Sequence, residues 1–248
     1  MKKLLLFLSL SILTIGCSRD EPIGLEGNVV TPQISNTINQ GRIAWYPFNG
    51  NANDESGNGN NGVVNGAELT FNKTGKPNSA FKFSNVTRFD QRIDVNLNTS
   101  SVTTSLSIAW WVKRNGNGYS SPRVFEFWPG SESDGKFASN IRNNESTMLF
   151  EHNISGTNIK FSLPYSINND WTHYVYTIGN SVAKFYINGK LEYTQAVNTT
   201  SIKLGTNVAF GRMNHPSYDA FNGVVDDIAI YNRVISQDEI NYYYNNQN

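Results

Sequence analysis

Hydrophobic and polar positions alternate with a period of two along most of the chain beyond Arg42, and Gly-, Asn- and Ser-rich turns separate the alternating runs. The first run is Ile43-Ala44-Trp45-Tyr46-Pro47-Phe48. Its proline has no N–H to donate to a ladder, which confines the run to a sheet edge or a strand end. Gly62–Gly66, Ala80–Phe83, Arg92–Val95, Leu106–Lys113, Val124–Trp128, Thr147–Glu151 and Asn158–Ser162 follow. Trp171–Ile178 is dense in β-branched and aromatic residues. Lys184–Ile187 and Leu191–Tyr193 flank Asn188-Gly189, a pair suited to the positive φ angles of a two-residue hairpin turn. Asn207–Gly211 and Gly223–Tyr231 complete the strands. Only Ser236–Tyr244 reads as helix, with Ser236 and Glu239 at capping-box spacing. Many strands and one short C-terminal helix predict an all-β, two-sheet antiparallel sandwich.

A chain of 248 residues is long enough for one large β domain with its own core. No charge run or low-complexity tract divides the region beyond Arg42, so residues 42–248 are expected to form a single domain. Charged residues make up 16% of the chain, against roughly 25% in ordinary soluble domains. Lys and Arg balance Asp and Glu, so the chain has no net field to hold a nucleic acid.

The N-terminus has a different pattern. Met1-Lys2-Lys3 is basic, Leu4–Ile15 is apolar but short for a membrane span, and Gly16-Cys17 precedes the polar Ser18-Arg19-Asp20. Cys17 is the single cysteine, which rules out a disulfide within the chain. This arrangement resembles a bacterial lipoprotein signal, although Thr14 stands where leucine is usual and Leu13 lies one step further out. The resemblance implies a signal over residues 1–17 that ends at the lipidated cysteine, with cleavage just before Cys17, acylation of that cysteine (palmitate among the chains) and anchoring in a membrane. The outer membrane is the expected site, on its periplasmic or its cell-surface side. An ordinary secretory signal is the alternative, and either one implies export. Residues 18–41 contain Pro22 and Pro32 and no sustained periodicity, as expected of a flexible tether, with a short strand at Asn28–Thr31 as the alternative.

Between Asn49 and Gly62 almost every residue is Asn, Gly, Asp or Ser. Such residues turn the backbone sharply and direct carbonyl and side-chain oxygens inward, which is the chemistry a hard cation such as calcium requires.

Several segments, in order, resemble one family. They are Trp45–Gly50, Asp54–Gly62, Ala80–Phe83, Ser107–Lys113, Trp171–Val175, Phe185–Lys190, Phe210-Gly211, Gly223–Arg233 and Ser236–Ile240. Together they are similar to a laminin-G-like, concanavalin A-like jelly-roll domain over about residues 42–245. The resemblance implies a jelly roll whose first and last strands lie side by side, a frequent calcium site where they meet, and use as a glycan-binding or adhesive module.

The calcium ligands then expected are Asn49, Gly50, Asp54 and Asp226. With Ile228 and Ile230 facing the core, strict period two puts Asp226 inside, where a bound cation would neutralise it, and turns Asp227 outward to solvent or an arginine. The alternative is that Asp54 caps a turn and Asp226 sits at a sheet edge with water.

Glycan-binding candidates are the loop aromatics Trp128, Tyr119, Tyr218 and Phe89 with His215 and Arg88, since sugar C–H faces stack on rings. Each has the alternative of anchoring its own loop. Trp45, Trp110, Trp111 and Trp171 lie within strands and are expected in the core. Glucanases of this fold carry Glu-x-Asp-x-x-Glu on one strand, with nucleophile and acid about 5 Å apart. No such run occurs: Glu126, Glu132 and Asp134 have a different spacing. His152, His173 and His215 have no ligand partner nearby in the sequence, and His173 is expected to be a packed strand residue. The leading expectation is a non-catalytic, membrane-tethered domain that binds carbohydrate or mediates adhesion. The alternatives are a module whose partner is a surface protein, and a glycan-cleaving enzyme without a recognisable motif.

Overall fold

The computed structural model describes residues 34, 36–84, 91–115, 123–130, 134–141, 147–164, 170–198, 201–212 and 221–246. In chain order the first strands are β1 (Arg42–Tyr46), β2 (Val63–Asn65), β3 (Glu68–Thr70), β4 (Ala80–Phe83) and β5 (Arg92–Asn96). Next come β6 (Ser105–Arg114), β7 (Arg123–Trp128), β8 (Phe137–Ile141), β9 (Thr147–Ile154) and β10 (Thr157–Pro164). The last are β11 (Thr172–Gly179), β12 (Val182–Ile187), β13 (Lys190–Ala196), β14 (Asn207–Phe210) and β15 (Gly223–Tyr231), followed by helix α1 (Gln237–Asn245). One sheet runs β13-β12-β11-β6-β15-β4-β3, with β1 as an eighth strand on β15. The other runs β10-β9-β8-β7-β14-β5-β2. Neighbouring strands are antiparallel throughout, and the two layers make the expected sandwich.

The inter-sheet core is aromatic. Ile108, Trp110 and Val112 of β6 enter it, and the Trp110 ring meets Phe125 edge-on with centroids 4.9 Å apart. Phe150 packs on Phe137 at 4.3 Å and on Tyr176 at 4.8 Å. A second cluster lies on the outer face of the eight-stranded sheet, where Ala109, Val175, Ala229 and Tyr231 are covered by Ile235, Ile240 and Tyr243. Trp111 belongs to this outer layer, stacked on Tyr244 of α1 at 5.7 Å. The tryptophans therefore divide: Trp110 is in the core, Trp111 lies beneath the helix, and Trp45 and Trp171 are half-buried.

Local chemistry accounts for the turns and ends. Asn188 (φ 50°) and Gly189 (φ 80°) close the β12–β13 hairpin, as their sequence predicts. Ser236 caps α1 and Glu239 reaches back to it, completing the capping box. β1 pairs with β15 alone and stops at Tyr46, before Pro47. Two strands escape the sequence pattern. β3 is three residues long, and β8 has its two large apolar residues, Phe137 and Ile141, at its ends with small and polar ones between.

The packed structure begins ahead of Arg42. Ile38 is buried in the outer cluster, and its carbonyl accepts the Tyr231 hydroxyl at 2.7 Å. Arg233 donates to the carbonyls of Gln40 (2.7 Å) and Thr37 (2.9 Å). The end of the expected tether is thus part of the domain.

Strict period two fails on β15. Val225 and Ile228 both enter the inter-sheet core, because a bulge between Asp226 and Ala229 inserts an extra residue and Asp227 takes φ 47°. Asp226 pairs with Trp111 and so lies on the outer face of the sheet, not on the inner side. Asp227 is not solvated either, being 3% exposed.

Candidate binding groove and metal site

The Asn-rich turn folds back along the free edge of β1. Glu55 N–H donates to the Trp45 carbonyl at 2.8 Å, and the Asn60 amide donates to the Ile43 carbonyl at 2.8 Å. Asp54 organises this closure. Its Oδ1 accepts the backbone N–H groups of Trp45 and Ser56, each at 2.9 Å. Its Oδ2 accepts the Asn60 backbone at 3.0 Å and the Asn60 amide at 3.2 Å. Burial alone would raise the Asp54 pKa, but the hydrogen bonds from Ser56, Trp45 and Asn60 outweigh it and hold the carboxyl below its usual range. Both oxygens are engaged, so Asp54 serves as a turn cap.

Asp226 lies at a different place, in a gap between two strands. β4 pairs with Gly223–Val225 and β1 with Ile228–Tyr231, both on the side of β15 away from β6. The two strands lie end to end, and the gap between them falls at Asp226 and Asp227. In the chain leaving β1, Gly50 N–H donates to the Asn78 carbonyl at 2.8 Å, and Asn49 Oδ1 accepts Lys76 Nζ at 3.0 Å. Asp226 is fully buried; its Oδ1 accepts Asp227 N–H at 2.8 Å, and Oδ2 has no hydrogen-bond partner. Burial and the neighbouring Asp227 carboxylate push the Asp226 pKa well up, with only partial relief from Lys76. An orphaned, buried carboxylate oxygen suits an oxygen-seeking cation, and the Lys76 whose charge acts on it also bonds Asn49. No group of three or more His, Cys, Asp or Glu side chains able to hold a metal occurs among the described residues.

A groove of about 800 Å³ lies elsewhere, on the outer face of the seven-stranded sheet. Its floor follows from strand register. Trp128 at the end of β7 faces Asn207 of β14, which faces Asn96 of β5, so an aromatic ring and two amides stand in a row across three strands. Two residues further along, Glu126, Ala209 and Asp94 form the next row, and Asp94 faces Val63 of β2. Asn61 of the Asn-rich turn and Arg212 complete the walls. Trp128 is half-buried, with Lys136 Nζ 5.5 Å from its ring centroid. Gly205 allows the chain to cross the Trp128 backbone, since a Cβ there would stand 2.5 Å from its carbonyl carbon. Asp94 accepts Arg92 Nε at 2.7 Å and the Asn65 amide at 2.9 Å. Glu126 is buried and salt-bridged to Arg123 Nη1 at 3.0 Å.

Of the expected glycan residues, Trp128 lines this groove. Arg88, Phe89, Tyr119, His215 and Tyr218 lie outside the described residues, as does Cys17. Asn61, Asn96, Asn207 and Arg212 were not foreseen. They occupy polar positions of strands and turns whose only sequence signal is alternation; what unites them is pairing between β5, β7 and β14, which are distant in the chain. The three expected histidines also divide. His173 is a packed strand residue against Trp111, His152 is buried beside Tyr176, and His215 is not described.

The family model of the concanavalin A-like lectin/glucanases superfamily matches residues 88–241. No curated protein matches the chain. Among solved structures, the binding domain of botulinum neurotoxin DC in complex with rat synaptotagmin II superposes with a TM-score of 0.66 at 19% identity, covering 84% of this chain and 52% of that one. A botulinum neurotoxin type C structure, described through cell entry dependent on two ganglioside molecules, gives 0.67 at 20% identity, with 85% and 52% covered. The botulinum neurotoxin serotype D binding domain gives 0.66 at 22%, with 86% and 52% covered. The chain spans about half the length of these structures, and the likeness is one of fold. With its two antiparallel sheets and this family match, the chain belongs to the concanavalin A-like lectin/glucanases superfamily.

Proposed function

We propose that the protein is a non-catalytic carbohydrate-binding or adhesion domain that uses the groove on the seven-stranded sheet. The observation that carries this reading is the row Trp128, Asn207 and Asn96. A ring offers a face for sugar C–H groups, and amides present both donors and acceptors to hydroxyls. Rigid strands hold all three in a groove large enough for a short oligosaccharide. The ganglioside dependence stated for the type C neurotoxin is compatible with a glycan ligand, and the synaptotagmin complex of the DC toxin with a protein one.

Two carboxylates flank the bond in most glycoside hydrolases. Among the described residues the groove is lined by one, Asp94, which Arg92 and Asn65 already engage. That favours binding over cleavage.

Export and acylation at Cys17 would place the domain on the outer membrane, on its periplasmic or cell-surface side, held there by lipid. Loss of labelled palmitate in Cys17→Ser is the corresponding test. A structural calcium ion would be held by Asp226 with Asn49 and Gly50 at the β1–β4 gap, supplying positive charge to a buried carboxylate and no chemistry.

Glycan-array binding, repeated with Trp128→Ala and Asn96→Ala, tests the central reading. Both substitutions are expected to remove or sharply weaken binding while leaving the melting temperature nearly unchanged. Undiminished binding by both variants would exclude the groove. No glycan binding at all would turn the reading toward a protein partner.

A further inference from the structure

Beside the amide row, the groove holds a charge arrangement that a neutral sugar does not require. Two guanidinium groups, those of Arg92 and Arg212, stand near a single carboxylate, Asp94. Arg92 takes that carboxylate directly, at 2.7 Å, and the Asn65 amide takes the same Oδ2 at 2.9 Å. The Nε of Arg212 is buried without a hydrogen-bond acceptor among the described residues. Desolvation, the adjacent Arg92 and the relief from Asp94 leave its acidity somewhat strengthened, as expected of a cation held in a site short of anions. Among the described residues that line the groove the charged ones are Asp94 and Arg212, and Asp94 is already engaged by Arg92.

Position adds to this. Asp94 lies two residues along β5 from Asn96, a separation of about 7 Å. A sugar unit set on Trp128, Asn207 and Asn96 thus brings its own substituents, or an adjoining unit, toward Arg212. A guanidinium is a planar fork that matches a carboxylate.

We infer that the groove selects an acidic glycan, one whose sugar carries a carboxylate, and that Arg212 is the residue that binds this group. The inference rests on the groove being a glycan site, as proposed above.

The test is an array of uronate- and sialate-containing oligosaccharides, each printed beside its carboxyl-reduced counterpart. The best pair is then titrated calorimetrically against the full chain. The carboxylated member is expected to bind about tenfold or more tighter than the reduced one, the difference one charge-assisted pair supplies. Arg212→Gln should level the pair by weakening the carboxylated member alone. Arg212→Lys, which keeps the charge and loses the fork, should fall between, and melting curves verify that both variants fold. Parity in the wild-type protein, or a preference that survives Arg212→Gln, overturns the inference while the groove stands as a neutral-glycan site. Failure to bind either member of every pair removes the groove reading and this inference with it.

Discussion

Asp226 pairs with Trp111 across β15 and β6, on the outer face of the eight-stranded sheet, while Val225 and Ile228 on either side of the bulge enter the core. The carboxylate is fully buried, has Asp227 beside it, and leaves one oxygen without a partner. In the metal-free protein such a group works against folding. Asp226→Asn, an uncharged isostere, is therefore expected to raise metal-free stability by about 1–3 kcal/mol. With calcium bound as proposed, the order should reverse. The wild-type protein should melt higher when calcium is added and lower with a chelator, and Asp226→Asn should be indifferent to both. Differential scanning fluorimetry reads all four conditions, and an undiminished calcium response in the variant would move the metal away from Asp226.

Asp54 should behave in the opposite way. Its carboxylate gathers four N–H groups that close the turn over the edge of β1. Asp54→Ala leaves those donors without their acceptor, at a cost of about 3 kcal/mol. Asp54→Asn, which keeps one carbonyl oxygen, should lose less. Neither loss should depend on calcium. Urea denaturation with and without chelator measures this, and a chelator-sensitive loss would return Asp54 to the metal site.

The different outcomes at these two aspartates show what could be read from the chain. Turns, hairpins and the helix cap were legible because they are local: Asn188-Gly189 and Ser236–Glu239 carry their geometry within a few residues. The alternation identified most strands, and Pro47 correctly marked β1 as an edge strand that ends early. The bulge at Asp227 was not legible, because a single non-glycine residue at φ 47° leaves no mark on hydrophobic periodicity and yet reverses the phase of the strand before it. The groove was legible only in Trp128. Its amides became a row through register between strands more than thirty residues apart in sequence, which is a property of the folded sheet.

Acid should destabilise the protein through its buried histidines. His152 hydrogen-bonds the Tyr176 hydroxyl and the Lys203 carbonyl, each at 3.0 Å, and burial pushes its pKa down to about 4 despite Lys203 and Asp134. His173 packs against Trp111 with neither ring nitrogen hydrogen-bonded, and burial together with Lys73 pushes it down to about 3. An unfolded histidine titrates near 6.5. Between that value and the native one the unfolded chain binds more protons, so the stability is present above pH 6.5 and is lost as pH falls toward 4 and 3. The slope is at most about 1.4 kcal/mol per pH unit for each histidine. His173→Phe keeps the ring packing and removes one of these protons, so it should lower the slope by up to about 1.4 kcal/mol per pH unit in urea titrations between neutral pH and pH 5. An unchanged slope would mean that His173 does not remain neutral in the native state.

Arg233 ties the segment ahead of β1 to the C-terminal helix. Its Nη1 and Nη2 donate to Glu239 at 2.7 and 2.6 Å, while Nε and Nη2 donate to the carbonyls of Gln40 and Thr37. Glu239 is 3% exposed and also closes the capping box through Ser236 N–H at 2.8 Å. Burial would raise the Glu239 pKa, but Arg233 and Ser236 bring it below the ordinary value. Arg233→Ala removes every one of these donors from Glu239 except Ser236. The arginine is partly solvated, which limits the loss to about 2 kcal/mol. The effect should also be local. Amide exchange at Thr37–Arg42 should speed up far more than exchange in β6 or β11, because those strands are held by the core and not by this clamp. Arg233→Lys should rescue little, since an ammonium cannot span two carboxylate oxygens and two carbonyls in one plane. Uniform acceleration across the domain would instead show that the segment ahead of β1 unfolds only with the whole sandwich.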